Sequence, residues 1–142
     1  MSMSMRDAIK QMLEGDATLM ALLPGGIYSG REISRQEMPS AFDENLELRP
    51  CALIKVETET PSGPYDTSAR LIFSVWLYQR AGYDAIDAAM KRVFELLNRV
   101  VMPGQKCWEI RHSDDVTDQT DDSLMTSMGM SRYVAIRMRG VQ

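Results

Sequence analysis

The chain has 142 residues, of which 44% are hydrophobic and 25% charged, and it carries a net charge of −4. That length suits a single domain over residues 1–142, with roughly two-thirds of the unfolded surface buried on folding. The scattered basic residues exclude an electrostatically driven grip on nucleic acid, which needs clustered Lys and Arg. No apolar run is long enough to cross a bilayer. The opening Met1-Ser2-Met3-Ser4-Met5-Arg6 lacks the apolar core of a signal peptide, so a frayed terminus over residues 1–4 and a cytoplasmic protein are expected.

Ser4 can cap a helix over residues 5–13, whose apolar face is Ile9, Met12 and Leu13. Asp16 begins a second short helix that carries Leu19, Met20, Leu22 and Leu23 and stops at Pro24-Gly25-Gly26. Ile27-Tyr28 suggests a short edge strand. Residues 29–49 are the least regular part of the chain and read as an irregular arm or loop. Pro50 opens a strand from Cys51 to Thr58, and the Pro/Gly-rich residues 60–66 join it to the next.

Ser68-Ala69-Arg70-Leu71-Ile72-Phe73-Ser74-Val75-Trp76-Leu77-Tyr78 is apolar on both faces, as a central strand must be. After Gln79-Arg80-Ala81-Gly82 the period changes. Tyr83, Ile86, Met90, Val93, Leu97 and Val101 recur at helical spacing until Met102-Pro103-Gly104. The next strand, residues 106–112, would set Trp108 and Ile110 on one face and Glu109 and Arg111 on the other. Residues 113–123 read as a polar loop. The last strand, beginning near Leu124, would turn Val134, Ile136 and Met138 inward and Tyr133, Arg137 and Arg139 outward. The resulting fold class is α+β: a mainly antiparallel sheet of about four main strands, with one long helix and a short N-terminal helical segment packed on one face. The other face would carry Lys55, Glu57, Glu109, Arg111, Arg137 and Arg139 and be wet or covered by a partner.

Reactive groups are sparse. Asp114, Asp115, Asp118, Asp121 and Asp122 crowd together, and clustered carboxylates suit a hard cation. Their spacing lacks the alternate ligands, bend glycine and final glutamate of a calcium loop, so a solvated acidic hairpin loop is expected. The single histidine, His112, adjoins Ser113, but neighbours on a strand point to opposite faces and cannot pair as nucleophile and base. One histidine with two distant cysteines cannot build a structural zinc site; Cys51 and Cys107 could be neighbours in the sheet, but read as buried free thiols. Pro24-Gly25-Gly26-Ile27-Tyr28-Ser29-Gly30 does not open a helix as a phosphate loop would. No cofactor and no enzymatic activity are expected. Met125, Met128 and Met130 suit either an adaptable contact surface or a half-buried strand.

The order of elements resembles the tail-terminator (tail-completion) proteins of long-tailed bacteriophages, of the minor tail protein U type. Four stretches carry the resemblance. They are Leu22-Leu23-Pro24-Gly25-Gly26-Ile27-Tyr28 after a helix; Pro50-Cys51-Ala52-Leu53-Ile54-Lys55-Val56 leading to the central strand; the helix start Asp84-Ala85-Ile86-Asp87; and Arg111-His112-Ser113-Asp114-Asp115 with the closing Ser131-Arg132-Tyr133-Val134-Ala135-Ile136. Residues 29–49 depart from that pattern. The resemblance implies a non-catalytic subunit that forms a hexameric ring on the tail tube, stops its growth and offers the head-joining surface. It implies homo-oligomer contacts, tail tube and head–tail connector proteins as partners, and no membrane. Assembly would take place in the host cytoplasm and the product would reside in the virion tail. A negative protein around a DNA channel lets phosphates slide. On this reading Asp114, Asp115, Asp118, Asp121 and Asp122 are candidate assembly or channel-facing residues, and Arg31, Arg35, Arg49, Arg137 and Arg139 are candidate subunit or partner contacts. The alternatives are another neck protein, a small-molecule-binding or enzymatic α+β domain, and a DNA-binding accessory protein.

Overall fold

The computed structural model describes residues 4–30, 33, 38–61 and 68–138. Helix α1 (Met5–Glu14) starts where the Ser4 hydroxyl accepts the Asp7 amide, and α2 (Ala17–Leu22) starts where the Asp16 carboxylate accepts that of Leu19. Each cap satisfies an amide that has no partner within its own helix. Helix α3 (Asp84–Leu97) is capped from further away. Gln79, the last residue of the preceding strand, accepts the amides of Ala85 and Ile86 through Oε1, so the strand's end also starts the helix.

The strands are β1 (Ile27–Ser29), β2 (Cys51–Pro61), β3 (Ser68–Gln79), β4 (Cys107–Asp121) and β5 (Thr126–Met138), ordered β1-β2-β3-β5-β4 in one sheet. The expected sheet of about four main antiparallel strands, with one long helix and a short N-terminal helical segment, is therefore corrected to a five-stranded mixed sheet with three α-helices among the described residues. The mixing comes from β1, which pairs parallel to β2 from Ile27 opposite Ala52 to Ser29 opposite Ile54. The arm after β1 brings the chain back to the end of the sheet where β1 began. Gly25 anchors that return: its amide donates to the Pro50 carbonyl at 2.8 Å, and a Cβ there would lie 2.9 Å from the carbonyls of Arg49 and Pro50.

All three helices cover one face. Met5, Ile9, Leu13, Leu19, Ile86, Val93 and Leu97 pack on Ile54, Phe73, Val75, Leu77, Ile110, Tyr133 and Ala135. The far face is divided. Near the start of β2, the arm lays Ile33, Met38, Ala41 and Leu48 over Cys51, Leu53 and Tyr78 as a second core. Further along, Ile72, Val134, Ile136 and Met138 stay half-buried with nothing described above them.

Several facings are corrected. Tyr133 and Ala135, not Val134, Ile136 and Met138, point into the helix-side core. Arg137 lies opposite Ala69 and Cys107 on that same side, so it does not belong with Lys55, Glu57, Glu109 and Arg111 on the far face. Trp108 is 53% exposed while Cys107 and Ile110 are buried, because a bulge between Cys107 and Glu109 breaks the two-residue alternation. Helix α3 ends at Leu97, four residues before Val101. From there residues 98–102 run as a strap along β4: the Arg99 amide donates to the Ile110 carbonyl, the Ile110 amide to Val100, and the His112 amide to Asn98 Oδ1. Finally, the expected loop over residues 113–123 is mostly strand, and only the turn after Asp121 joins β4 to β5.

Candidate assembly surfaces

The acidic cluster separates once β4 is extended. Asp114 faces the open side and accepts Arg132 Nη1 at 2.8 Å, while Arg132 Nε donates to Glu57 at 3.1 Å. Carboxylates on β2 and β4 are thus tied through one guanidinium on β5, and both charges hold the Arg132 cation more firmly than usual, Glu57 most. Asp115 turns to the helix side. Its Oδ1 accepts the Ser131 hydroxyl at 2.7 Å and lies 2.8 Å from His112 Nε2. Asp118 sits at a bulge with φ +56°, Asp121 accepts the Ser123 hydroxyl and the Leu124 amide, and Asp122 is exposed in the turn. No group of three or more metal-ligating side chains converges among the described residues.

Around His112 the geometry resembles a reactive relay but is connected differently. The ring stands edge-on to Phe94 and Tyr133, each at 5.3 Å between centroids. Asp115 lies between His112 and Ser131, so the serine proton points at a carboxylate rather than at an imidazole. Ser131 is also completely buried. The Tyr133 hydroxyl is held well above its ordinary pKa, first by burial and then by the Asp115 charge. The arrangement pins β4, β5 and α3 together.

The thiols are equally far from solvent. Burial pushes Cys51 up to about 12 and raises Cys107 as well. Two strands separate β2 from β4, and the cysteines belong to different cores, so they are not neighbours.

Of the basic candidates, Arg49 Nη1 donates to the Ser40 carbonyl within the arm, and Arg137 lies 3.7 Å from Glu59. Arg31, Arg35 and Arg139 lie outside the described residues.

The sheet's edges differ in how they are covered. The strap pairs with β4 only as far as His112; among the described residues no strand pairs with the outer edge of 113–121, its acidic half, where the Tyr83 hydroxyl donates to the Gln119 carbonyl at 2.8 Å. Three irregularities along β4 and its negative charge both discourage casual strand addition. On the other side β1 covers β2 only at residues 52–54, and no described strand pairs with the rest of that edge. The sequence carried no sign of the strap or of the Glu57–Arg132–Asp114 chain, since both join residues that only the pairing register brings together.

No family model matches the chain, and no curated protein is similar to it in sequence. Among solved structures it is similar to a chain of the "Virion of native gene transfer agent (GTA) particle". The two share 18% identity and superpose with a TM-score of 0.62 over 96% of each chain. At that identity the likeness is one of fold, and it covers nearly all of both chains.

Proposed function

We propose that this chain is a structural protein of a phage-like particle, forming a ring that caps the tail tube, ends its growth and offers the surface to which the head joins. The observation that carries the reading is the near-full-length fold likeness to a chain of a gene transfer agent virion. The order of elements, which resembles tail-terminator proteins, points the same way. So does the side-chain chemistry: the polar groups that converge are engaged in pinning strands. In such a ring the exposed carboxylates Asp118 and Asp122 are suited to face passing DNA, which they would repel. Asp114 and Asp115 serve the sheet itself, and Arg49 the arm. The protein would assemble in the host and remain in the particle, next to tail tube and connector proteins.

The test is particle assembly in cells carrying or lacking this chain, read by electron microscopy. Loss of the chain should give overlong tails or tails without heads. Normal particles in its absence would refute the proposal. Capture of the head connector but not the tail tube would instead assign it to another position in the neck.

A further inference from the structure

We infer that the two ends of the sheet fit one another, so that the acidic end of one copy receives the basic end of the next. This rests on the ring reading and names its contact.

At one end, the arm and the β4–β5 turn enclose a cleft of about 240 Å³ lined by Phe42, Leu48, Leu124 and Thr126. That volume suits one large side chain rather than a drug-sized ligand. Leu46 and Met125 stand on its rim, 58% and 84% exposed. Thr126 is only 5% exposed, yet its hydroxyl has no hydrogen-bond partner among the described residues, which is uncommon for a buried polar group. Arg80 lies 3.0 Å from Glu47 and is balanced by it. Glu44, Asp118 and Asp122 have no cation beside them among the described residues.

The opposite end has the complementary character. Val101 and Trp108 are 59% and 53% exposed, and the strap places them on neighbouring stretches of chain. Arg99 and Lys106 flank them, and neither has a carboxylate partner among the described residues. Backbone geometry marks the same two places. Among the described residues, the non-glycine positions with positive φ are Leu46, Asp118 and Met125 at the acidic end and Arg99 and Lys106 at the basic end. Glycine would adopt these conformations more easily. Each position instead projects an apolar or charged side chain.

Because the two ends are different surfaces, their contact is head-to-tail, and repeating it gives a ring when the rotation closes. Opposite charge orients the approach, and Trp108 and Val101 supply the apolar anchor for the cleft.

The experiment is sedimentation of the full chain, wild type against Met125→Glu and Trp108→Glu, at low and high salt. Wild type should associate, and more weakly at high salt. Each variant should lose at least about tenfold in association with an unchanged melting temperature. Mixed together, the two variants should form a one-to-one complex and go no further, because each supplies the end the other lacks. Lys106→Glu in place of Trp108→Glu should behave the same way and covers a folding defect at the tryptophan. A wild-type protein that stays monomeric, variants that associate like wild type, or a mixture that fails to pair would each overturn the inference. Because ring assembly on particles is read separately, the ring reading could survive that failure.

Discussion

The two faces of the sheet solve the same burial problem differently. The helix side is continuous and dry, with Phe73 stacked on Tyr133 at 5.6 Å and both fully buried. The far side is covered near the start of β2 by Ile33, Met38, Ala41 and Leu48 of the arm, and further along carries half-buried aliphatic residues crossed by Glu57, Arg132 and Asp114. The larger buried core is on the first face. The second keeps an open sheet region and leads to the cleft at one end.

Substitutions can break that comparison. Phe73→Ala should cost about 3–5 kcal/mol, since a buried ring and its stacking partner are lost together, measured by denaturant unfolding. A cost near 1 kcal/mol would mean the helix-side core is looser than its burial indicates. Leu48→Ala, in the second core, should cost about 2 kcal/mol, the low end for buried leucine, because the thin arm can settle into the gap. Hydrogen exchange should show the loss confined to the arm and the start of β2. Arg132→Ala should cost about 1 kcal/mol or less, as expected for partly exposed ion pairs. A larger loss would move part of the stability to the open face.

The smallest effect appears only in acid. The Arg92 guanidinium beside Asp16, helped by the Leu19 amide, lowers that carboxyl to about 2 from an ordinary 3.8. A depressed carboxyl pKa stabilises the fold above the unfolded value and loses that effect as the group protonates. The α2–α3 tie should therefore be intact above about pH 4 and lost as pH falls toward 2. Arg92→Ala should flatten this part of the acid-unfolding curve, and an unchanged curve would place the acid sensitivity elsewhere.

Periodicity made the first two helices, the central strand and the long helix visible, because each helix buries one face and the central strand buries both, and either case leaves a clear pattern. The switch at Gln79-Arg80-Ala81-Gly82 was legible for the same reason, with Gly82 at φ +82° where it was needed. Facing on β4 and β5 was not. Bulges at Cys107/Glu109, His112/Asp114 and Val116/Gln119 shift the alternation, and which of two half-apolar rows turns inward depends on what lies above it. Gly129 shows this dependence: a Cβ there would sit 2.8 Å from Ile86 Cγ2 and 3.0 Å from Met90 Cε, so α3 rests directly on the strand. Polarity alone made residues 113–123 look like loop, whereas one bonded neighbour on β5 was enough to hold them extended.

Local pattern by itself therefore determined where the three helices begin and that residues 68–78 form a strand buried on both faces. Only the tertiary structure decided the parallel pairing of β1, the facing of the last two strands, and the gathering of opposite charge and exposed apolar side chains at the two ends. The physical reason is range. Helix caps and apolar spacing act within a few residues, while strand register, bulge position and edge coverage are set by partners tens of residues away.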